Sequence, residues 1–225
     1  MDPLNLQNKL FSSDEIYFKE EALSTLYLAF ENTRTTHFPS VALVKGENGV
    51  GKSTLLHHFK ASIKLKENFV AFATVHHQSD SVPFASLIQA FRNGILEFLS
   101  TRKEELGYWQ RQLNNFPELN CAQALEWIPE LSRLCQANES SSENSLYSFQ
   151  DVVLAFIKAF STATVGRPLL IVLDDIQNLD ESSKVLLHTL LKTSEKLSFV
   201  LVCTLRSDSL HCEAIQNSLR YALEY

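Results

Sequence analysis

Little in this chain would tie it to a metal scaffold, a membrane or an exported fold. The 225 residues include four cysteines, Cys121, Cys135, Cys203 and Cys212. They form no CxxC pair and follow no regular spacing, so reduced thiols within the fold are expected rather than a zinc site or a disulfide frame. No apolar run approaches the roughly 18 residues of a membrane span. The opening stretch MDPLNLQNKLFSSDE has neither a basic start nor an apolar core, so no secretory signal is expected and the cytoplasm is the expected location. Positive charge is also short: 20 Lys and Arg face 26 Asp and Glu, giving a net charge of -6. That balance counts against a domain built to coat nucleic acid. The neighbouring pairs His57-His58 and His76-His77 diverge on a helix or a strand, so structural histidines are expected there rather than ligands of one metal. What remains is ordinary for a globular protein, with 45% hydrophobic and 20% charged residues, and the length suits one large α/β domain or a domain with a small attachment.

Glycine is scarce as well, yet three of the six glycines fall within VKGENGVGKSTLL, Val44 to Leu56. Glycine surrenders the most backbone freedom on folding, so clustering it is unfavourable unless bare backbone is needed there. Gly46, Glu47, Asn48, Gly49, Val50, Gly51, Lys52 and Ser53 satisfy the pattern GxxxxGK[ST], preceded by an apolar strand and followed by a helical stretch. Such a loop turns successive N–H groups inward around phosphate oxygens, and the following helix presents its positive end to them. Lys52 then reaches the β- and γ-phosphates, the Ser53 hydroxyl is a ligand for Mg2+, and Thr54 supports the α-phosphate side.

The apolar residues fall into strand-length blocks: Ser40 to Gly46, Phe69 to Val75, Pro168 to Asp175 and Leu197 to Leu205. Each is continuous rather than alternating, which suits parallel strands covered on both faces. Between them run one-sided helical patterns. The first starts at Phe84, opened by Pro83, the second runs from Tyr147 to Phe160, and the third follows Asp180. The expected fold is therefore α/β, three-layered, with a mostly parallel sheet. Residues 101–136 read as an inserted helical subregion, 137–145 as a flexible serine-rich loop, 1–15 as an N-terminal extension and 16–225 as the domain.

A phosphate-binding loop needs an acid to hold its metal. PLLIVLDD ends in Asp174 and Asp175 at the carboxyl end of a strand, where ligands gather in open parallel sheets. Asp174 is expected to hold Mg2+, and Asp175 to orient or polarise the attacking water. Asp180 directly precedes a helix and reads as an N-cap at least as readily as a catalytic acid. Arg206 leaves the next strand and is read two ways, as a contact to the γ-phosphate or as a surface arginine. The guanine-reading [NT]KxD element is missing after this strand, so ATP is the expected nucleotide.

With these motifs in order, the chain resembles the AAA-like ATPase domain of the STAND class of P-loop NTPases, as found inside large multidomain serine/threonine kinases, hybrid histidine kinases and transcriptional regulators. The resemblance spans Ile16 to Asp208 and rests on the P-loop, on Phe69 to Phe91, on Trp109, on Ile128 to Leu131 and on Pro168 to Ser183. It implies metal binding and water activation at Asp174 and Asp175, and γ-phosphate sensing at Arg206. The chain departs from the family pattern where Phe18 and Lys19 replace a Gly-Arg pair, where His77 replaces an aspartate and where Asn178 replaces a tryptophan. The resemblance also implies a fifth strand beside the P-loop strand and a helical lid. The residues after Arg206 read as one helix, so the domain is expected to be incomplete at its C-terminus, with an uncovered sheet edge open to self-association. The expected function is an ATP-binding signalling module with slow Mg2+-dependent hydrolysis, working with kinase or other signalling domains in the same or a partner chain. The alternative is a non-hydrolysing nucleotide-binding or protein-interaction module.

Overall fold

The computed structural model describes residues 11–12, 19–64, 68–76, 82–135, 147–163, 167–192, 197–209 and 212–224. The loop expected at 137–145 lies outside these residues, as does His77. The elements are β1 (Phe11–Ser12), α1 (Lys19–Thr36), β2 (Ser40–Gly46), α2 (Lys52–Lys64), β3 (Val70–Thr74), α3 (Ala85–Thr101), α4 (Leu106–Leu113), α5 (Ala122–Trp127), α6 (Phe149–Ala163), β4 (Leu169–Asp174), α7 (Glu181–Lys192), β5 (Phe199–Arg206) and α8 (Cys212–Glu224). The sheet has five strands in the order β1-β2-β5-β4-β3, and every pairing is parallel. All four strands expected from the apolar blocks are present.

Why those blocks are continuously apolar is visible in the two cores. Leu169, Ile171 and Leu173 of β4, with Phe199, Leu201 and Cys203 of β5, pack against α3, α6 and α7. Leu170, Val172, Val200 and Val202 turn the other way and meet α1 and α2. The two-residue pleat thus feeds alternate side chains to opposite helical layers, and the apolar run is unbroken up to Asp174 in β4 and Thr204 in β5. The fold is a three-layer α/β arrangement around a parallel sheet.

The core above α3 and α6 is strongly aromatic. Phe69 stands 4.3 Å from Phe160 and 5.1 Å from Phe156, and Trp109 stacks on Phe160 at 4.8 Å between centroids. Trp109 belongs to α4, so this ring contact helps seat the short helices and 3-10 turns spanning 103–133. A second tie is ionic. The Arg92 guanidinium on α3 donates from Nε and Nη2 to the Glu130 carboxylate at 2.8–3.0 Å. Burial alone would raise the Glu130 carboxyl; the Arg92 hydrogen bonds and charge prevail and hold it below the usual carboxylate range.

Three details differ from the sequence reading. The outer edge of β2, expected to be bare, is paired at Val44 and Lys45 by Phe11 and Ser12; the N-terminal segment supplies this strand through the βαβ unit β1–α1–β2. The helix expected from Phe84 begins at Ala85, because Phe84 is left-handed at φ 63° and its N–H donates to the Asp180 carboxylate at 3.2 Å. The single helix expected after Arg206 is α8, preceded by a turn at 207–208.

Candidate nucleotide site

β2 delivers the chain to the loop 46–51, and α2 begins at Lys52. Gly49 and Gly51 take φ 81° and 96°, in the left-handed region. A Cβ built on either glycine meets nothing within 4 Å. Backbone conformation rather than crowding demands glycine here, and the space their missing side chains leave is open. Glu47, Asn48, Gly49 and Val50 are exposed, Ser53 and Thr54 are exposed on the first turn of α2, and Leu55 N–H closes that turn onto the Gly51 carbonyl at 3.0 Å.

Gly46 is buried at the start of the loop, and so is Lys52, the first residue of α2, at 8% exposed. Its Nζ donates to the carbonyls of Gly46 at 3.0 Å and Glu47 at 2.7 Å. Burial pushes its pKa below the ordinary lysine value; Asp175, Asp174 and Asp208 pull it up, and Arg206 pushes it down. Those same charges show what the fold has gathered around the ammonium: both acids from the end of β4 and the arginine from the end of β5.

The pleat explains the gathering. Val172 and Val202 face α2, so the residues two further along, Asp174 and Thr204, point to that same side. Thr204 is fully buried and Asp174 is 5% exposed. The Thr204 hydroxyl donates to Asp174 Oδ1 at 2.5 Å and accepts the Asp175 N–H at 2.7 Å. Asp175 is left-handed, φ 63°, which breaks the strand alternation so that both acids stay at the sheet's carboxyl edge. The Asp175 carboxylate accepts from Gln177 Nε2 at 2.9 Å, and Gln177 Oε1 accepts the Arg206 N–H at 3.3 Å. Ser207 N–H donates to the Gly46 carbonyl at 3.1 Å, which joins the end of β5 directly to the start of the loop.

Asp180 caps α7. Its Oδ1 accepts the Ser183 N–H at 2.9 Å and its Oδ2 accepts the Ser183 hydroxyl at 2.6 Å, which settles it as an N-cap that also anchors the start of α3. Asn178, where the family pattern has a tryptophan, donates from Nδ2 to the Val75 carbonyl at 3.1 Å and so ties the acid turn to the end of β3. Thr204, Gln177 and Asp208 were not among the residues singled out by motif. Thr204 left one trace in the sequence, a lone hydroxyl in the apolar run FVLVCTLR.

Elsewhere the chemistry is quiet. All four cysteines are buried free thiols; burial pushes Cys135 up to about 12 and raises Cys203 as well. The His57 ring packs on Phe72 at 5.1 Å. Among the described residues no group of three His, Cys, Asp or Glu side chains could hold a metal, and no helix is long and apolar enough to cross a membrane. A cavity of about 300 Å³ lies between α7 and α8, with Ile176 and Leu179 from the turn after β4 in its lining.

The residues present suit Mg2+ rather than a metal in an all-protein cage. Ser53 and Asp174 could offer hard oxygens from two elements, with phosphate oxygens and water to complete the coordination of such an ion. Bound there, the ion would neutralise phosphate charge.

The AAA ATPase domain family matches residues 15–202. A Hybrid signal transduction histidine kinase G from Dictyostelium discoideum is 25% identical over 195 residues; the match covers 83% of this chain and 5% of that protein. The chain therefore spans about 5% of the length of this curated relative. The crystal structure of CDC6P from Pyrobaculum aerophilum superposes with a TM-score of 0.51 at 15% identity, over 97% of this chain and 46% of that one, and so shares its fold. The chain belongs to the AAA ATPase domain family.

Proposed function

We propose that this AAA ATPase domain is an ATP-binding switch with slow Mg2+-dependent hydrolysis, of the STAND type, acting on signalling domains attached to it or associated with it. The observation that carries the reading is the convergence of Lys52, Asp174, Asp175 and Arg206 on the loop at 46–51. A buried ammonium that donates only to neutral carbonyls, beside the open space at Gly49 and Gly51, is suited to an anion.

Gly46 to Thr54 wrap the phosphates, and Lys52 stabilises charge on the β- and γ-oxygens. Ser53 and Asp174 hold the ion. Asp175 orients a water for in-line attack and accepts its proton, and Arg206 contacts the γ-phosphate as charge shifts toward the leaving oxygen. Little covalent chemistry is asked of the protein, because positioning and charge neutralisation supply most of the acceleration in phosphoryl transfer. Loss of the γ-phosphate removes the partner of Arg206 and lets β5 and the turn after β4 relax, which is the conformational output of a switch. A signalling role is supported by the histidine-kinase relative.

The test is binding of fluorescent ATP and GTP analogues by the purified chain, with and without Mg2+, followed by phosphate release. Mg2+-dependent binding of ATP in preference to GTP, with slow release, is expected. Lys52→Ala should abolish triphosphate binding, whereas Asp175→Asn should keep binding and lose turnover. Unchanged affinity in the lysine variant would overturn the site. Binding without release would leave a nucleotide-binding module that does not hydrolyse.

A further inference from the structure

The side chain of Gln177 lies between the two groups that the proposed reaction must coordinate. Its Nε2 donates to the Asp175 carboxylate at 2.9 Å, and its Oε1 accepts the Arg206 backbone N–H at 3.3 Å. A backbone N–H can only donate, so it fixes which end of the amide faces β5 and leaves the NH2 group for Asp175. No other side chain among the described residues is recorded bonding to both Asp175 and Arg206. The two bonds are unequal. At 2.9 Å the acid is held at the ordinary distance, whereas 3.3 Å is long for an N–H···O bond and is the joint that yields first.

Arg206 is in turn linked to the loop. The next residue, Ser207, donates to the Gly46 carbonyl at 3.1 Å, and that same carbonyl takes the Lys52 ammonium at 3.0 Å. An anionic phosphate oxygen attracts an ammonium more strongly than a neutral carbonyl does. Filling the cradle therefore draws Lys52 away from Gly46, while a γ-phosphate draws the Arg206 side chain. Both changes act on the last residues of β5.

We propose that Gln177 is a positioning residue that ties the orientation of the Asp175 carboxylate to the placement of Arg206, so that a triphosphate in the loop is reported to the acid through one side-chain amide. The proposal rests on the nucleotide reading given above. Thr204 serves a different end of the turn: it fixes the Asp175 backbone and the Asp174 carboxylate, leaving the Asp175 carboxylate for Gln177 to aim.

The experiment compares the full chain with Gln177→Met, which keeps the length and loses both bonds, and Gln177→Glu, which keeps the acceptor for Arg206 and sets a carboxylate against Asp175. Hydrogen exchange is followed over residues 174–179 and 204–208 with Mg2+ and either a non-hydrolysable ATP analogue or ADP. In the wild type the triphosphate should change both segments and ADP neither to the same degree. In Gln177→Met the triphosphate should still bind within about threefold of wild type and change 204–208 alone. Turnover should fall by about tenfold or more in both variants, since an acid that is not aimed loses much of its general-base contribution. Gln177→Glu serves as the reading should Gln177→Met not fold. The proposal is overturned if a folded variant still transmits the change to 174–179, or keeps wild-type turnover. A wild-type chain that binds no triphosphate overturns the proposed function, and this inference with it; that outcome is told apart by the binding control.

Discussion

The hydroxyl of Thr204 donates to the Asp174 carboxylate at 2.5 Å, with both side chains buried at the boundary of β4 and β5. Because the same oxygen accepts the Asp175 N–H at 2.7 Å, its one hydrogen is committed to Asp174. The threonine thus orients the proposed metal acid.

Thr204→Val preserves shape and removes the hydroxyl. Outer-shell partners of this sort are worth about 10- to 100-fold in metal affinity. The Mg2+ concentration for half-maximal nucleotide binding should rise by at least about tenfold, with metal-free binding through Lys52 little changed. Thr204→Ser should restore the wild-type Mg2+ dependence. A valine variant with an unaltered Mg2+ titration would show that Asp174 does not hold the ion.

Lys52 makes a prediction in pH. Its folded-state pKa lies below the unfolded value of 10.5, first because of burial. Between the folded pKa and 10.5 the unfolded chain binds the extra proton, so stability should rise as pH increases through that window. Lys52→Met should flatten the rise, read as midpoint denaturant concentration against pH. Bound polyphosphate favours the charged lysine and reverses the shift. Calorimetry of triphosphate binding at rising pH up to 10.5, in buffers of different ionisation enthalpy, should therefore show proton uptake that grows with pH. Proton release, or none, would place Lys52 away from the phosphates.

How far the sequence disclosed this arrangement depended on whether the signal was local. β2 was read at Ser40–Gly46 as found, and β4 within one residue at each end, because strands buried on both faces leave unbroken apolar runs. α1 was not picked out. It buries Ala22, Leu26, Phe30 and Thr33, yet it leaves Leu28 56% exposed, so its stripe is blurred, and its last buried position is a threonine bonded to Ser40 at 2.7 Å. β1 covers only two residues, too short for any period to register. In the site, Lys52, Asp174 and Asp175 were legible because their spacing is a motif. Thr204 and Gln177 were not, since Thr204 bonds to Asp174 and Gln177 to the Arg206 N–H, partners far away in the chain.

The pairing of Phe11 and Ser12 with Val44 and Lys45 makes the N-terminal segment an edge strand beside the loop-bearing strand. Exposed strand edges invite pairing with another chain. Deleting residues 1–18 should therefore increase self-association, seen as a concentration-dependent rise in mass by light scattering. A deletion variant that stays monomeric at the same concentrations as the full chain would show that the edge needs no cover.

Gly94 gives the sharpest test of the core. It sits in α3 where a Cβ would come within 2.7 Å of Phe69 Cζ and 2.7 Å of the Val70 carbonyl oxygen. Alanine in a helix is favoured over glycine by about 1 kcal/mol, which argues for stabilisation. The contacts argue against it. Phe69 is wedged among Phe98, Phe156 and Phe160, and the Val70 oxygen belongs to a sheet strand and cannot swing aside. Overpacking of this kind costs about 1–3 kcal/mol, so Gly94→Ala should be destabilised, with a lower melting temperature. Because one clash is with backbone, Phe69→Leu should not rescue it. A Gly94→Ala protein more stable than wild type would mean that α3 lies farther from β3 than the structure places it.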